Sequence, residues 1–324
     1  MATAREIRRR MGSIRNIRQI TKAMELIAVT RLRRAQQRVV ATRPYADKMR
    51  QVLGDLVERI EVPETVGDGN LANGTLDAYD RERLESQGEL PSGAVHPLLE
   101  RRPVVRMGVI LLTTDRGLCG ALNSNTIRAA LQFAYAQQNA GQAVELIMVG
   151  RKGLQAASRL PVTVTAEFSG LGDYPAMAQI SPIVRVATDA FTSHAVDEVV
   201  LIYPRFVNTM RQEPTVLPLL PIQPPQRDTT AEAEHETEVD YIYEPGPRAV
   251  LAGILPRFVE VQVYQAVLEM IASEFSARMV AMRNATDNAG ELLDDLQLGY
   301  NKARQSTITR EIIEVSAGAN AQAK

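Results

Sequence analysis

The chain has 324 residues, 45% hydrophobic and 23% charged, with a formal net charge of −1, and this length suits one large domain or two modest ones. Its one cysteine, Cys119, cannot form an intrachain disulfide, and three scattered histidines, His96, His194 and His235, offer no metal-ligand spacing. No apolar run reaches the roughly 18 residues of a membrane span, and the charged N-terminus lacks the apolar region of a signal peptide. We therefore expect no metal site, a reducing, cytosol-facing compartment, and contact with a membrane only through partners.

The N-terminal stretch is long, basic and amphipathic. Residues 1–50 hold fourteen Lys or Arg against three Asp or Glu. Between Ala4 and Arg43 there is no proline and only one glycine, and apolar residues recur at steps of mostly three and four: Ile7, Met11, Ile14, Ile17, Ile20, Met24, Ile27, Leu32 and Val39. This spacing predicts a helix that, with a kink at Pro44, continues to about Ile60.

The basic residues surround this predicted helix and form no single stripe. No aromatic residue is interleaved among them for base stacking, so the pattern disfavours nucleic acid. A helix that is basic all round suits enclosure in an acidic sleeve of protein. A basic coiled-coil nucleic-acid-binding protein remains the second alternative.

The middle of the chain predicts a small α/β domain at 104–223. Apolar runs at 104–114, 144–150, 162–168 and 198–206 have strand character and alternate with helical stretches, which favours a mainly parallel, Rossmann-like sheet covered on both faces. A fifth run at 215–222 contains prolines and suits an edge strand. On either side we expect linkers, at 63–103 with at most a short helix near 77–86, and at 224–247 with an acidic run at 228–240.

The loop 114-TDRGLCGALNSN-125 follows a predicted strand and opens a helix, where a glycine-rich turn can hold phosphate. It lacks both the Gly-Lys-Ser/Thr and the G-x-G-x-x-G patterns, so the case for a nucleotide is weak. Cys119 has no histidine near it in sequence, which favours a buried thiol over a nucleophile. Asp115 and Arg116 are expected to pair or to cap the turn. A Rossmann-like nucleotide-binding enzyme remains the first alternative.

The C-terminal stretch predicts a second long helix with a heptad seam. One row recurs every seven residues: Leu268, Phe275, Met282, Ala289, Leu296 and Ala303. A companion row adds Tyr264, Ile271, Ala285, Leu292 and Ile313. From Arg257 to Val315, at about 1.5 Å per residue, such a helix measures roughly 90 Å. We therefore expect helices at 1–62 and 248–324 to form a long antiparallel coiled coil beside the central α/β domain.

Three segments resemble the γ subunits of F-type ATP synthases: residues 5–36, 113–125 and above all 277–312, which includes GYNKARQSTITREI. They occur in the family's order, and the resemblance covers nearly the whole chain. Two departures stand out. Residues 63–103 are longer than the family usually has there, and the chain lacks the cysteine pair that chloroplast relatives use as a thiol switch, which favours a bacterial source.

The resemblance implies a non-catalytic rotor with no cofactor, which couples ion-driven rotation to conformational change at the catalytic β subunits. The paired helices would turn inside the ring of α and β subunits. The α/β domain would lie against the ε subunit and the membrane c-ring, at the cytoplasmic face of the bacterial cell membrane. By motif match, Met24 would face the β subunit, and hydrogen bonds to the ring would come from Arg304, Gln305, Thr309 and Glu311.

Overall fold

The computed structural model describes residues 4–59, 96–157, 162–223, 243–244 and 246–322. The helices are α1 (Ala4–Arg59), α2 (Leu122–Asn139), α3 (Arg151–Ala157), α4 (Met177–Thr192) and α5 (Pro247–Gln322), with a 3₁₀ turn at Pro97–Leu99. The strands are β1 (Arg106–Leu112), β2 (Ala143–Val149), β3 (Thr163–Phe168), β4 (Glu198–Phe206) and β5 (Gln212–Leu220).

The chain forms two compact units. The first takes its residues from Met1–Arg33, Leu118–Gly120 and Glu274–Lys324, and the second from Arg34–Gly117 and Ala121–Ser273. The division therefore cuts both long helices, and the five segments expected from the sequence stay a prediction. The short helix near 77–86 and the acidic run at 228–240 fall outside the described residues.

The second unit contains the predicted sheet, in the order β3-β2-β1-β4-β5. Strands β1 to β4 pair in parallel, and β5 pairs antiparallel with β4 at the edge. Six of the seven residues of β1 are buried, as is typical of a parallel strand covered on both faces. The prolines of β5 lie at the edge, where no second partner strand needs their missing N–H. The predicted α/β architecture is confirmed.

In the first unit, α1 and α5 run antiparallel. The guanidinium of Arg31 lies 5.8 Å from the centre of the Phe275 ring, and the hydroxyls of Thr21 and Thr286 lie 2.8 Å apart. From Thr21 to Arg31 the residue number rises along α1, whereas the number of the contacting residue on α5 falls from 286 to 275. This is the antiparallel pairing that the sequence predicts.

The seam of α1 differs from the predicted apolar row. The buried positions of α1 in the first unit are Met11, Thr21, Glu25, Ala28 and Leu32. Ile17, Ile20 and Ile27, which the sequence places in the row, are instead 51%, 56% and 52% exposed. The heptad positions that follow Met11 include Thr21, Glu25 and Ala28, which are polar or small and are not selected by a search for large apolar residues.

The seam of α5 matches one predicted row and not the other. Along the first row Phe275, Met282 and Ala289 are buried, and Leu296 is half-buried. In the companion row Ile271 is buried, but Leu292 and Ile313 are 52% and 61% exposed. Thr286 and Leu293, one residue further along, take the places expected of Ala285 and Leu292. At Ala285 and Leu292 the companion row was therefore predicted one residue too early, whereas at Ile271 it was predicted correctly.

Both long helices continue through a proline. Helix α1 passes Pro44 and ends near the predicted residue, and α5 runs from Pro247 through Pro256 to Gln322, beside the 248–324 expected from the sequence. Pro44 and Pro256 are exposed. On that side water can bond the carbonyl groups that lose their helical N–H partner, so an exposed proline is tolerated.

Tyr203 on β4 and Glu269 on α5 form a polar pair in the second unit. Tyr203 lies close to the Glu269 carboxylate, whose Oε2 is buried without a hydrogen-bond partner among the described residues. Burial raises the pKa of Glu269 and outweighs the lowering effects of the nearby Tyr203 hydroxyl and of the positive charges of Arg43 and Arg205. Burial also raises the pKa of Tyr203, and the nearby Glu269 carboxylate adds to the rise.

Glu269→Gln should change the pH dependence of stability. A carboxyl whose pKa is raised by folding stabilises the fold fully below its unfolded pKa, and this contribution is lost as pH rises through the folded value. The free energy of unfolding of the Gln variant, minus that of the parent, should therefore increase as pH rises above about 4.5, by about 1.4 kcal/mol per unit of pKa shift. Urea unfolding followed by circular dichroism at several pH values measures this difference.

Glu167→Gln, at an exposed position of β3, is the matched control for removing a surface carboxylate. A difference for Glu269→Gln that falls with rising pH would mean that folding lowers the pKa of Glu269.

Candidate functional site

Asp115 closes the carboxyl edge of the parallel sheet. Its Oδ1 accepts the Arg151 N–H at 3.1 Å, and its Oδ2 accepts the Gly170 N–H at 3.0 Å. The carboxylate therefore bridges the segments that follow β1, β2 and β3. It accepts the N–H at the start of α3, whereas the loop 114–125 itself opens α2.

The loop after β1 also satisfies its own polar groups. The Thr113 hydroxyl donates toward the Val149 carbonyl at 2.8 Å and accepts the Gly153 N–H at 2.8 Å. Gly150, at φ 95°, lets this approach occur, since a Cβ there would overlap the Thr113 carbonyl oxygen. The Asn123 side chain accepts the Thr114 N–H and donates to the Thr114 hydroxyl. This arrangement fits a closed structural turn, and Asp115 bonds the turn as expected.

Cys119 is a buried thiol of the first unit. It is 2% exposed, and the flanking Leu118 and Gly120 both have positive φ, 63° and 58°. A Cβ on Gly120 would lie 4.0 Å from the Cβ of Ala281. The two described histidines, His96 and His194, belong to the second unit. The burial of Cys119 agrees with the expected buried thiol.

A polar layer crosses the seam of the first unit; it comprises Arg18, Thr21 and Glu25 on α1 and Arg283, Thr286 and Gly290 on α5. Thr21 and Thr286 are 9% and 8% exposed, and their hydroxyls are 2.8 Å apart. The Glu25 carboxylate lies 3.0 Å from Lys22 Nζ and 3.8 Å from Arg283 Nε. The Arg18 guanidinium lies over Gly290, where a Cβ would be 3.7 Å from Arg18 Cζ.

Met24 lies directly beside this layer. It is half-buried and belongs to a stripe of α1, formed by Ile17, Ile20, Met24 and Ile27, that flanks the seam. The three isoleucines are each more than half exposed. The α1 stripe is therefore an apolar surface without a partner among the described residues of the first unit.

Arg304, Gln305, Thr309 and Glu311 are all exposed on α5. In the register that pairs Thr21 with Thr286, Ala4, the first described residue of α1, lies opposite about residue 303. The four side chains therefore lie beyond the part of α5 that pairs with the described residues of α1. Met24 lies opposite about residue 283, so roughly 30 Å of helix separates it from Arg304. The structure does not bring the five predicted contact residues together.

The segment of α5 that carries these polar residues also carries an apolar stripe that was not predicted. Ile308, Ile312 and Val315 recur at helical spacing and are 47%, 63% and 74% exposed. None of these three residues was among the predicted contact residues. Their helical spacing, which can be read from the sequence, identifies the stripe.

Two further features of the described residues bear on function. None of the described helices is long and apolar enough to cross a membrane. In the part of the chain that the structure describes, no group of three or more His, Cys, Asp or Glu side chains could hold a metal ion.

A family model and individual relatives both match this chain, and their names agree. The family model described as ATP synthase matches residues 3–322. The ATP synthase gamma chain of Herpetosiphon aurantiacus is 46% identical over 99% of both chains, and that of Acidithiobacillus ferrooxidans is 45% identical over 99% of this chain and all of the relative.

Among solved structures, a chain of the Euglena gracilis mitochondrial ATP synthase matches with a TM-score of 0.58 at 18% identity. That match covers 98% of this chain and 94% of the other. A chain of the Tetrahymena thermophila mitochondrial ATP synthase central stalk and c-ring matches with a TM-score of 0.53 at 21% identity, over 82% of this chain and 99% of the other. These two matches establish the similarity of the fold.

Asp115→Ala should destabilise the second unit by about 1–3 kcal/mol, because two backbone N–H groups lose a charged acceptor. Hydrogen exchange at Arg151 and Gly170 should accelerate in the variant. Asp294→Ala, an exposed position on α5, is the control. Unchanged exchange at both amides would mean that Asp115 does not hold the turn.

Proposed function

We propose that this chain, which belongs to the family of ATP synthase gamma chains, is the central-stalk rotor subunit of an F-type, proton-translocating ATP synthase. It couples ion-driven rotation to conformational change at the catalytic β subunits. The observation that carries this proposal is the identity of 46% with a gamma chain over 99% of both sequences. The antiparallel pair of long helices supports it.

In this proposal α1 and α5 form the shaft that turns inside the ring of α and β subunits. A shaft acts by being asymmetric, because each orientation presents different residues to each of the three β subunits. Rotation therefore changes their nucleotide affinities in turn, which is a coupling of distant sites through a rigid element.

The chain is proposed to be non-catalytic within the enzyme complex. The turn at the sheet edge supports this, because the Asp115 carboxylate already takes the Arg151 and Gly170 N–H groups. Nucleotide chemistry would belong to the α and β subunits. The γ chain supplies mechanical coupling and needs no cofactor.

Contacts with the ring are proposed at two heights of the shaft. Met24 faces the β subunit near the neck, and Arg304, Gln305, Thr309 and Glu311 form reversible hydrogen bonds nearer the tip. The exposure of the four residues near the tip supports this proposal, and Met24 is half-buried beside the exposed isoleucines of the α1 stripe. A hydrogen bond to a charged group is worth about 1.5–3 kcal/mol, so a few such bonds can hold one orientation and still release.

The central α/β domain is proposed to form the foot of the rotor, against the ε subunit and the c-ring. The complex then lies at the cytoplasmic face of a bacterial cell membrane, and this chain is peripheral to that membrane. The bacterial gamma chains among its relatives support a bacterial setting. In this proposal its partner subunits contact the lipid, and this chain does not.

Met24→Lys should impair coupling more than assembly. A new ammonium that faces a carboxylate of the β subunit would form an ion pair worth about 1 kcal/mol, enough to slow release from one orientation roughly fivefold. ATP-driven proton pumping per ATP hydrolysed, measured in reconstituted vesicles, should fall. Leu26→Lys, two residues along α1 and 59% exposed, is the control, and an unchanged pumping ratio for Met24→Lys removes Met24 from the contact.

Arg304→Ala combined with Gln305→Ala should slow ATP hydrolysis and synthesis by the reconstituted complex. The two substitutions remove proposed hydrogen bonds to the ring, at about tenfold in rate for each 1.4 kcal/mol of lost stabilisation. Alanine favours helix, so the helical content of the isolated chain should not change. Lys302→Ala removes a neighbouring exposed charge as the control. Wild-type rates in both directions would refute the contact, and failed assembly would mean that the pair is structural.

A further inference from the structure

The polar layer contains a hydrogen bond between two helices that an apolar seam does not need. The Thr286 hydroxyl lies 2.8 Å from both the Thr21 hydroxyl and the Met282 carbonyl, and the Thr21 hydroxyl lies 3.1 Å from the Arg18 carbonyl. These three contacts share the two hydroxyl protons of Thr21 and Thr286. If the contact across the seam is made, one of the two protons is donated to the other helix and not to a carbonyl of its own helix. The bond between helices exists only while Thr21 and Thr286 face each other.

Buried apolar residues stand near the polar layer on both helices. On α1 these are Met11 and Ala28, and on α5 they are Met282 and Ala289. The apolar layers of a coiled coil tolerate a shift by one heptad, because after the shift each apolar side chain again faces an apolar side chain of the other helix. A buried polar group at a seam position fixes the register, because a shift leaves it without its partner.

Sliding by one heptad, about 10 Å along the axis, would be unfavourable in either direction. Toward lower α5 numbers it would bring Arg18 beside Arg283, two like charges, and would move Glu25 from Arg283 to Ser276. Toward higher numbers it would bring Thr21 opposite Leu293 and Glu25 opposite Gly290. The observed register matches Glu25 with Arg283 and leaves room over Gly290 for the Arg18 guanidinium.

We propose that the Thr21–Thr286 pair, with Glu25–Arg283 and Arg18–Gly290 on either side, is a register lock that stops α1 and α5 from sliding past each other when the shaft carries torque. The role in torque rests on the proposed rotor function. The lock itself is a property of the folded chain. It keeps Met24 on α1 at a fixed axial distance from Arg304 on α5, so that contacts at both heights of the shaft turn together.

The lock predicts the behaviour of the full-length chain with Thr21→Val and Thr286→Val combined. Valine keeps the shape and removes both hydroxyls, so helical content should persist while the register loosens. Spin labels at Arg33→Cys and Asp295→Cys, both exposed positions, report axial distance by pulsed electron paramagnetic resonance. Cys119 is buried, and the chain without added cysteines gives the labelling background.

We expect one narrow distance for the parent and a broadened or second distance, displaced by up to about 10 Å, for the double valine variant. Thr21→Ser with Thr286→Ser keeps both hydroxyls and should restore the narrow distance. Thr30→Val with Thr192→Val removes two exposed hydroxyls that bond only their own helices and is the matched control. A parent-like distance in the double valine variant, with its helices intact, overturns the lock.

The same variants, assembled with the other subunits, test the role in torque. The valine pair should lower proton pumping per ATP hydrolysed, and the serine pair should restore it. A displaced distance with parent-like pumping overturns the role of the lock in the rotor. If the parent chain itself fails to support rotation, the proposed function is refuted, and the distance comparison still decides whether the lock exists.

Discussion

The pairing of α1 with α5 determines where the other side chains of the first unit lie. Its centre is the contact between Thr21 and Thr286, with Glu25 and Arg283 beside it. An apolar seam would bury more hydrocarbon surface, but its register would be less tightly specified. With this register set, the α1 stripe lies outside the seam and the segment from Arg304 to Glu311 lies past the described part of α1.

The chemistry of the described residues agrees with a mechanical role. The turn that follows β1 uses its carboxylate and hydroxyl groups to bond its own backbone, and the one thiol is buried. The long helices, by contrast, expose isoleucines on α1 and both polar and apolar residues near the end of α5. Such surfaces suit contact with other subunits, which is the work we propose for this gamma chain.

Much of the fold could be predicted from the sequence, because parallel strands read as apolar runs and Phe275, Met282 and Ala289 recur every seven residues. The seam of α1 could be predicted only in part: Met11 and Leu32 are buried as expected, whereas Thr21 and Glu25 are polar, Ala28 is small, and the larger isoleucines nearby give the stronger apolar pattern. The contact residues came from resemblance, and no rule of periodicity selects Gln305 over its neighbours. Their exposure is a property of the fold, whereas their partners depend on an assembly of several chains.

The most direct test of the rotor account is single-molecule rotation of the assembled complex. A probe attached through Met210→Cys, a position 78% exposed in the second unit, would report the orientation of this chain while ATP is hydrolysed. The account predicts rotation in one direction with three pauses per turn, one for each β subunit. Sustained ATP hydrolysis with a probe that only fluctuates about a fixed orientation would contradict it.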